Sequence, residues 1–381
     1  MIYLDHAATG FPKPRQVTEE QARCMRAYCG NPGRGSHALA LAAAEKIYEC
    51  RTLAKELFSA PSPEQVVFTM NATMAINTVI KGTLRRGDHV LISDMEHNAV
   101  WRPIWHLARR GFITYDVFPT YPSRPDRIDE EICRAIRERI KPRTKMLICA
   151  HASNISSATL PIEAIGTLCR RHGILFAVDA AQSAGHIPID MGRMQIDALC
   201  LPGHKGLLGP QGTGMLILGE GILPETLMEG GSGVHSLDGA MPEDAPERYE
   251  AGTLPTPAIA GLCEGLRTLM QMGVETVGAH DCAWSAYLQE RLLENPRVRI
   301  YTPHFCGSVL LFNIDGIPAD RVGAELDRRG ICVRAGYHCA ALAHQTIGTG
   351  EGGAVRVSPG YRTPLSHADA LVRALEEICN A

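Results

Sequence analysis

The chain has 381 residues, of which 45% are hydrophobic, and a formal net charge of −3. That length exceeds one ordinary core and implies two domains, or one large domain with a smaller one attached. The near-neutral charge gives no electrostatic case for nucleic acid or an anionic membrane surface, and no apolar run approaches the ~18–20 residues that span a bilayer.

The start, Met1-Ile2-Tyr3-Leu4-Asp5-His6, lacks the basic and apolar segments of a signal peptide, so a cytoplasmic protein is expected. The first 15 residues are too few to fold alone and are expected to pack against a domain. From residue 64 onward, short β-branched strands alternate with helical stretches. The pattern predicts strands over 66–68, 89–92, 113–118, 145–150, 174–178, 198–201 and 214–218. It predicts helices over 73–84, 100–110, 129–140 and 161–171. Nearly all-apolar strands between helices indicate a mostly parallel sheet covered on both faces. The stretch 230–246, opening with Gly230-Gly231-Ser232-Gly233, reads as a long loop.

Beyond residue 256 the pattern changes. Helices are expected over 257–272, 274–295, 319–329 and 366–380, with strands over 308–314, 330–334 and 354–357. The fold class is therefore α/β: a large domain over 16–256, and a smaller α+β C-terminal domain over 257–381 that includes residues 1–15.

Six segments carry candidate chemistry, five taken here and the one around Cys339 below. The strand ending at Asp179 places a carboxylate where ligands bind in parallel sheets, although an aspartate there is also an ordinary cap. The next strand delivers Gly203-His204-Lys205 into a glycine-dense loop. A lysine there is either a surface residue in a turn or an amine that condenses with an aldehyde cofactor. The glycines would let backbone approach a flat ring or a phosphate. At Ala72-Thr73 a helix opens, and its free N–H groups and the Thr73 hydroxyl suit a phosphate, though threonine is also a common cap. His97 follows a strand and is either structural or stacks on a flat ring. Arg356 is either a surface strand residue or a planar fork for a carboxylate.

The 13 cysteines are scattered, with no Cys-x-x-Cys and no His-Glu-x-x-His, so a zinc or redox-dithiol reading has little support. Cys149 and Cys200 lie inside apolar runs and read as small buried hydrophobes. Cys339 departs from that pattern. It follows a strand and a glycine, beside His338 and near Arg334, and neighbouring cations favour a thiolate.

In order and spacing these segments resemble the class V aminotransferase family of fold-type I pyridoxal-phosphate enzymes, within it the cysteine desulfurase and selenocysteine lyase branch. The resemblance runs from Tyr3-Leu4-Asp5-His6-Ala7-Ala8-Thr9 to the last helix. It implies a transferase-like fold with pyridoxal 5'-phosphate as cofactor, and a homodimer with shared active sites. Lys205 would be the Schiff-base lysine, Asp179 would pair with the pyridine nitrogen, and Gln182 and Asn154 would approach the ring hydroxyl. His97 would stack over the ring and take part in proton transfer. Ala72, Thr73 and His204 would bind the phosphate, and Thr253 would reach the phosphate of the other subunit's cofactor. Arg356, with Asn154 and Arg334, would hold the substrate, and Cys339 would attack the sulfur of L-cysteine and pass it to an acceptor.

Arg356 follows Cys339 by 17 positions, which resembles the short-loop, Suf-like group. A short tether limits reach and favours an acceptor protein that docks close by. Selenocysteine lyase, and an aminotransferase that makes no use of Cys339, are the alternatives that the resemblance leaves open. Two residues depart from the family pattern: Pro202, where relatives carry a hydroxyl that touches the phosphate, and Thr363, where relatives often have asparagine near the mouth of the site.

Overall fold

The computed structural model describes residues 1–33, 35–120, 128–235, 237–301, 304 and 307–380. Its first elements are β1 (Ile2–Tyr3), α1 (Arg15–Ala27), α2 (Ala38–Phe58), β2 (Val66–Thr69), α3 (Ala72–Thr83), β3 (His89–Ser93) and α4 (Asn98–Arg109). There follow β4 (Thr114–Phe118), α5 (Ile128–Arg137), β5 (Thr144–Ala150), α6 (Ile162–His172), β6 (Leu175–Asp179), β7 (Ala198–Pro202) and β8 (Gly214–Leu218). The remainder holds α7 (Thr256–Met272), α8 (Val274–Leu293), β9 (Val298–Tyr301), β10 (Leu310–Ile314), α9 (Ala319–Arg328), β11 (Ile331–Cys332), β12 (Arg334–Gly336), α10 (Ala341–Ile347), β13 (Ala354–Val357) and α11 (Leu365–Asn380).

Seven strands form the large sheet in the order β2-β8-β7-β6-β5-β3-β4. The pairs from β7 through β4 are parallel, and β8 runs antiparallel to both of its neighbours. Both faces are buried, as the apolar runs require. Leu147, Phe176, Val178 and Leu199 point into one cluster, and Met146, Ile148, Ala177 and Cys200 into the other. The smaller sheet, β12-β13-β10-β9, is antiparallel and buries Leu310, Phe312, Val355 and Val357 against Leu371 and Leu375 of α11.

The described residues between β8 and α7 form no helix or strand, as expected for the long loop; Ser236 within it lies outside the described residues. Three differences from the sequence expectations matter. The predicted strand over 330–334 is split at Val333: β11 pairs in parallel with β1, while β12 pairs with β13. The N-terminal segment therefore ties two regions together, because Asp5 bridges to Ser358 while Gly10 N–H and Lys13 Nζ donate to the His204 carbonyl at 2.9 and 2.6 Å. Helix α7 lies beyond residue 256, yet it packs Ile259, Leu262, Cys263, Leu266 and Leu269 into the core of the large sheet.

The parallel strands β3, β5, β6 and β7 end on one edge at Ser93, Ala150, Asp179 and Pro202. The loops that leave this edge carry His97, Asn154, Gln182 and Lys205. The carboxyl edge of a parallel sheet is where such folds bind ligands.

Candidate active site

A cavity of about 240 Å³ opens at that edge. Its walls include Ala72, Thr73, His97, Asn154, Asp179, Gln182, His204, Lys205, Arg334 and Arg356, ten of the residues singled out in the sequence. Thr253 is not among them; it is exposed and lines two neighbouring cavities of about 320 and 740 Å³. Cys339 stands exposed at the rim, next to lining residue His338, with its Sγ 3.7 Å from Arg334 Nη2.

Asp179 closes β6 and is 3% exposed; its carboxylate accepts from the Ala181 N–H at 2.9 Å. Burial raises its pKa, against the pull of that hydrogen bond and of Lys205. The Lys205 amine makes no hydrogen bond or ion pair with a described residue, and burial lowers its pKa to about 8. The loop that carries it is fixed by a close approach at the next residue: a Cβ on Gly206 would lie 2.2 Å from the Ala184 carbonyl. At Gly206, then, the missing side chain serves contact between the loops after β6 and β7 rather than approach to a ring.

Helix α3 is capped by Asn71, whose side chain accepts from Met74 N at 2.9 Å. The N–H groups of Ala72 and Thr73 keep no acceptor among the described residues, and they line the cavity. His204, also lining it, sits 3.1 Å from Thr9 Oγ1 through Nδ1, and burial lowers its pKa to about 4.

His97 caps α4, accepting from Ala99 N at Nδ1 (3.0 Å). Burial, then the charges of Lys205, Arg334 and Arg356, lower its pKa to about 4. It is therefore a neutral ring whose single proton sits on Nε2.

Arg356 is 1% exposed, which excludes the surface-strand reading. Its Nη2 donates to Asp5 Oδ1 at 2.7 Å and its Nη1 to the Asn154 carbonyl at 3.1 Å, while Nε has no partner. Arg334 lies directly across the β12–β13 ladder from it. Two guanidinium groups thus share one wall with one contacting carboxylate, that of Asp5, among the described residues, an arrangement that favours a bound anion. Asp5 was not among the residues singled out, because nothing local marks it as the partner of a group 351 positions away.

The rim segment is anchored by its backbone. Asn98 N–H donates to the Cys339 carbonyl at 2.7 Å, and Asn154 Nδ2 to the His338 carbonyl at 2.8 Å. These bonds hold His338 and Cys339 at φ 49° and 57°, the left-handed region, which costs about 1–2 kcal/mol per residue without glycine. His338 is buried, with Nε2 3.1 Å from the Arg334 carbonyl and Nδ1 3.1 Å from His344 Nε2. His344 Nδ1 in turn meets Thr349 Oγ1 at 2.8 Å. Burial lowers His338 to about 3 and His344 to about 4. This corrects the sequence reading: His338 is neutral and committed inward, and Arg334 is the cation at the thiol. Thr363 is corrected too. It is buried in a turn, bonding Gly360 N through Oγ1 at 2.8 Å, and does not line the cavity.

Residues 2–371 match the family described as aminotransferase class-V. The chain belongs to that family. Its members are pyridoxal-phosphate enzymes, and several named relatives of this class V chain share one activity. A probable cysteine desulfurase of Methanothermobacter thermautotrophicus is 33% identical over 385 positions, covering 99% of this chain and 94% of its own. A cysteine desulfurase of Salmonella agona is 33% identical over 349 positions, covering 89% and 84%. Among solved structures, the apo cysteine desulfurase of Thermococcus onnurineus NA1 superimposes with a TM-score of 0.87 at 29% identity, over 100% of this chain and 94% of that one. The Escherichia coli cysteine desulfurase CsdA, in an S-sulfonic acid form, superimposes with a TM-score of 0.88 at 28% identity, over 99% and 94%.

The family's cofactor fits what this chain offers. An uncommitted amine, a buried carboxylate and uncapped helix N–H groups surround one cavity, matching the aldehyde, ring nitrogen and phosphate of pyridoxal phosphate.

Proposed function

We propose that this class V enzyme is a cysteine desulfurase that converts L-cysteine to L-alanine and leaves a persulfide on Cys339. The observation that carries the reading is Cys339 itself. Of the described cysteines only Cys29 and Cys339 are exposed, and Cys339 is the one at the cavity rim beside a guanidinium.

Lys205 would hold the cofactor, Asp179 would face its ring nitrogen, Gln182 and Asn154 its ring hydroxyl, and Ala72, Thr73 and His204 its phosphate. Bound there, pyridoxal phosphate supplies an aldehyde for the substrate amine and an electron sink for charge at Cα. Arg356 grips the substrate carboxylate, aided by Arg334. The amine of Lys205, once released, takes the Cα proton, since a pKa near 8 leaves a working fraction neutral. His97, whose only ring proton is on Nε2, donates a hydrogen bond from that atom. Cys339 as thiolate attacks the substrate sulfur; the S–S bond forms as the substrate's Cβ–S bond breaks, and the electron pair left on the carbon side takes up a proton at Cβ to give the methyl group of alanine.

The short, backbone-anchored rim segment supports assignment to the short-loop, Suf-like group, with sulfur passing to an acceptor protein docked at the rim. The exposed position of Thr253, away from its own chain's cavity, supports a homodimer in which it reaches the partner's cofactor. In the same reading, residues 16–256 bind the cofactor, residues 257–381 with 1–15 carry the nucleophile, and α7 packs across the division. No described helix is long and apolar enough to cross a membrane. The described cysteines are all free, which supports a reducing, cytoplasmic setting.

The test is direct. Wild type releases alanine and sulfane sulfur from cysteine, Lys205→Ala loses the cofactor absorbance, and Cys339→Ala keeps the absorbance but loses sulfur release. Undiminished sulfur release by Cys339→Ala would refute the nucleophile while leaving the cofactor site standing.

A further inference from the structure

The helix that begins beside His97 presents a surface that the reaction does not use. α4 contains no acidic residue. Val100, Pro103 and Ile104 are buried beneath it, and Arg102, Trp105, His106 and Arg109 are exposed. Positions 102, 105, 106 and 109 follow helical spacing and form one stripe. Trp105 keeps 44% of its surface exposed, and the Arg109 guanidinium lies 5.2 Å from its ring centroid. Arg102, Arg109 and the following Arg110 make no ion pair with a described residue. Large aromatic and arginine side chains are the types that dominate binding energy at protein interfaces, and unneutralised cations select an acidic face.

The stripe is continuous with the nucleophile. The first N–H of α4, that of Asn98 one turn before Arg102, is bonded to the Cys339 carbonyl at 2.7 Å. Leu342, from the helix after Cys339, packs on the same apolar cluster as Trp101 of α4. Arg334, 3.7 Å from the thiol, extends the positive field to the reacting atom.

We propose that the Arg102–Trp105–Arg109 face of α4 docks the sulfur acceptor, and that this acceptor is a protein with acidic residues around its receiving thiol. The proposal rests on the reading of Cys339 as the persulfide carrier. The transfer it serves is balanced without any added oxidant. The acceptor's thiolate attacks the outer sulfur of the Cys339 persulfide, a new S–S bond forms on the acceptor, and Cys339 departs as thiolate. A nucleic acid would also meet a basic, aromatic stripe, but one helix face that begins at the nucleophile's own backbone suits a thiol-bearing protein better.

The experiment uses holoenzyme charged with persulfide by cysteine. Two peptides of about ten residues, long enough to reach from Cys339 along α4, each carry one cysteine, among glutamates in one and lysines in the other. Sulfur transfer to the acidic peptide is expected to be about tenfold faster at low salt, and the advantage should vanish near 0.5 M salt. Arg102→Glu with Arg109→Glu removes the preference, Arg102→Gln with Arg109→Gln reduces it, and Trp105→Ala slows acidic transfer at every salt concentration. Turnover with dithiothreitol stays unchanged in all three, which reports an intact fold. An acidic preference that survives charge reversal overturns the proposal. So does a stripe that binds an RNA oligonucleotide while ignoring peptide charge. Absence of persulfide turnover with dithiothreitol in wild type sinks the reading of Cys339 instead.

Discussion

Replacing Asp5 by asparagine tests what holds Arg356 in place. Arg356 is 1% exposed, and Asp5 is the carboxylate it touches, at 2.7 Å. Asparagine keeps the shape and an acceptor oxygen, so Asp5→Asn removes the charge and little else. Breaking a buried ion pair costs about 3–5 kcal/mol. The retained acceptor, and the 20% exposure of the Asp5 side chain, bring the expected loss to about 2–3 kcal/mol. At about 2 °C per kcal/mol for a chain of this size, Tm falls by about 4–6 °C. Arg356 and Arg334 then face the cavity with no contacting carboxylate, and the carboxylate of a bound product can supply the missing charge. L-Alanine should therefore raise the Tm of the Asp5→Asn holoenzyme more than that of wild type. The assay is thermal unfolding with and without alanine. A variant within about 1 °C of wild type, or equal alanine shifts in the two proteins, would refute the pairing argument.

Three further outcomes are expected. Burial holds Lys205 near pH 8 against its ordinary 10.5. In cofactor-free protein its acylation, followed by mass spectrometry, should have a midpoint near 8. Between those values the unfolded chain binds the extra proton, so Lys205 makes stability rise with pH across that window, and its penalty is fully present below it. Pro202→Ser restores a hydroxyl on the cavity wall and should tighten pyridoxal phosphate by about 3–10-fold, one hydrogen bond's worth, measured by fluorescence titration. Gly206→Ala forces a Cβ to within 2.2 Å of the Ala184 carbonyl, so it should lower stability by about 2 kcal/mol or more and abolish the cofactor absorbance.

The large sheet was legible because its strands are buried on both faces and so read as unbroken apolar runs. Lys205 and Asp179 were legible because they stand just past such strands. Helices α1 and α2 lie outside the predicted elements; α2 is rich in alanine, so it has strong propensity but no contrasting apolar stripe. The break at Val333 depends on pairing with the distant β1, which no local window contains. At the site, residue types were readable but their states were not. His338 reads as a cation beside a thiol until its burial, and its commitment to His344 and Arg334, are known. Thr363 reads as a mouth residue until its turn is seen.

Those states decide what the cavity binds. His97, His204 and His338 are all driven neutral by burial, with pKa values near 4, 4 and 3. They contribute shape and single protons at defined atoms, but no charge at neutral pH. The fixed charges are the cations Arg334 and Arg356 and the anion Asp5, with Lys205 shared between two states and Asp179 opposing it. A cavity with this balance attracts anions at two places: the Ala72 and Thr73 N–H groups at the start of α3 and the paired guanidinium groups. The first matches a phosphate and the second a substrate carboxylate. Lys205 and Asp179 lie in the same cavity wall, and Cys339 waits at the rim on the Arg334 side. The thiol is therefore placed beside the arginine pair rather than the first turn of α3, where, in the proposed reading, a nucleophile aimed at a substrate side chain has to be.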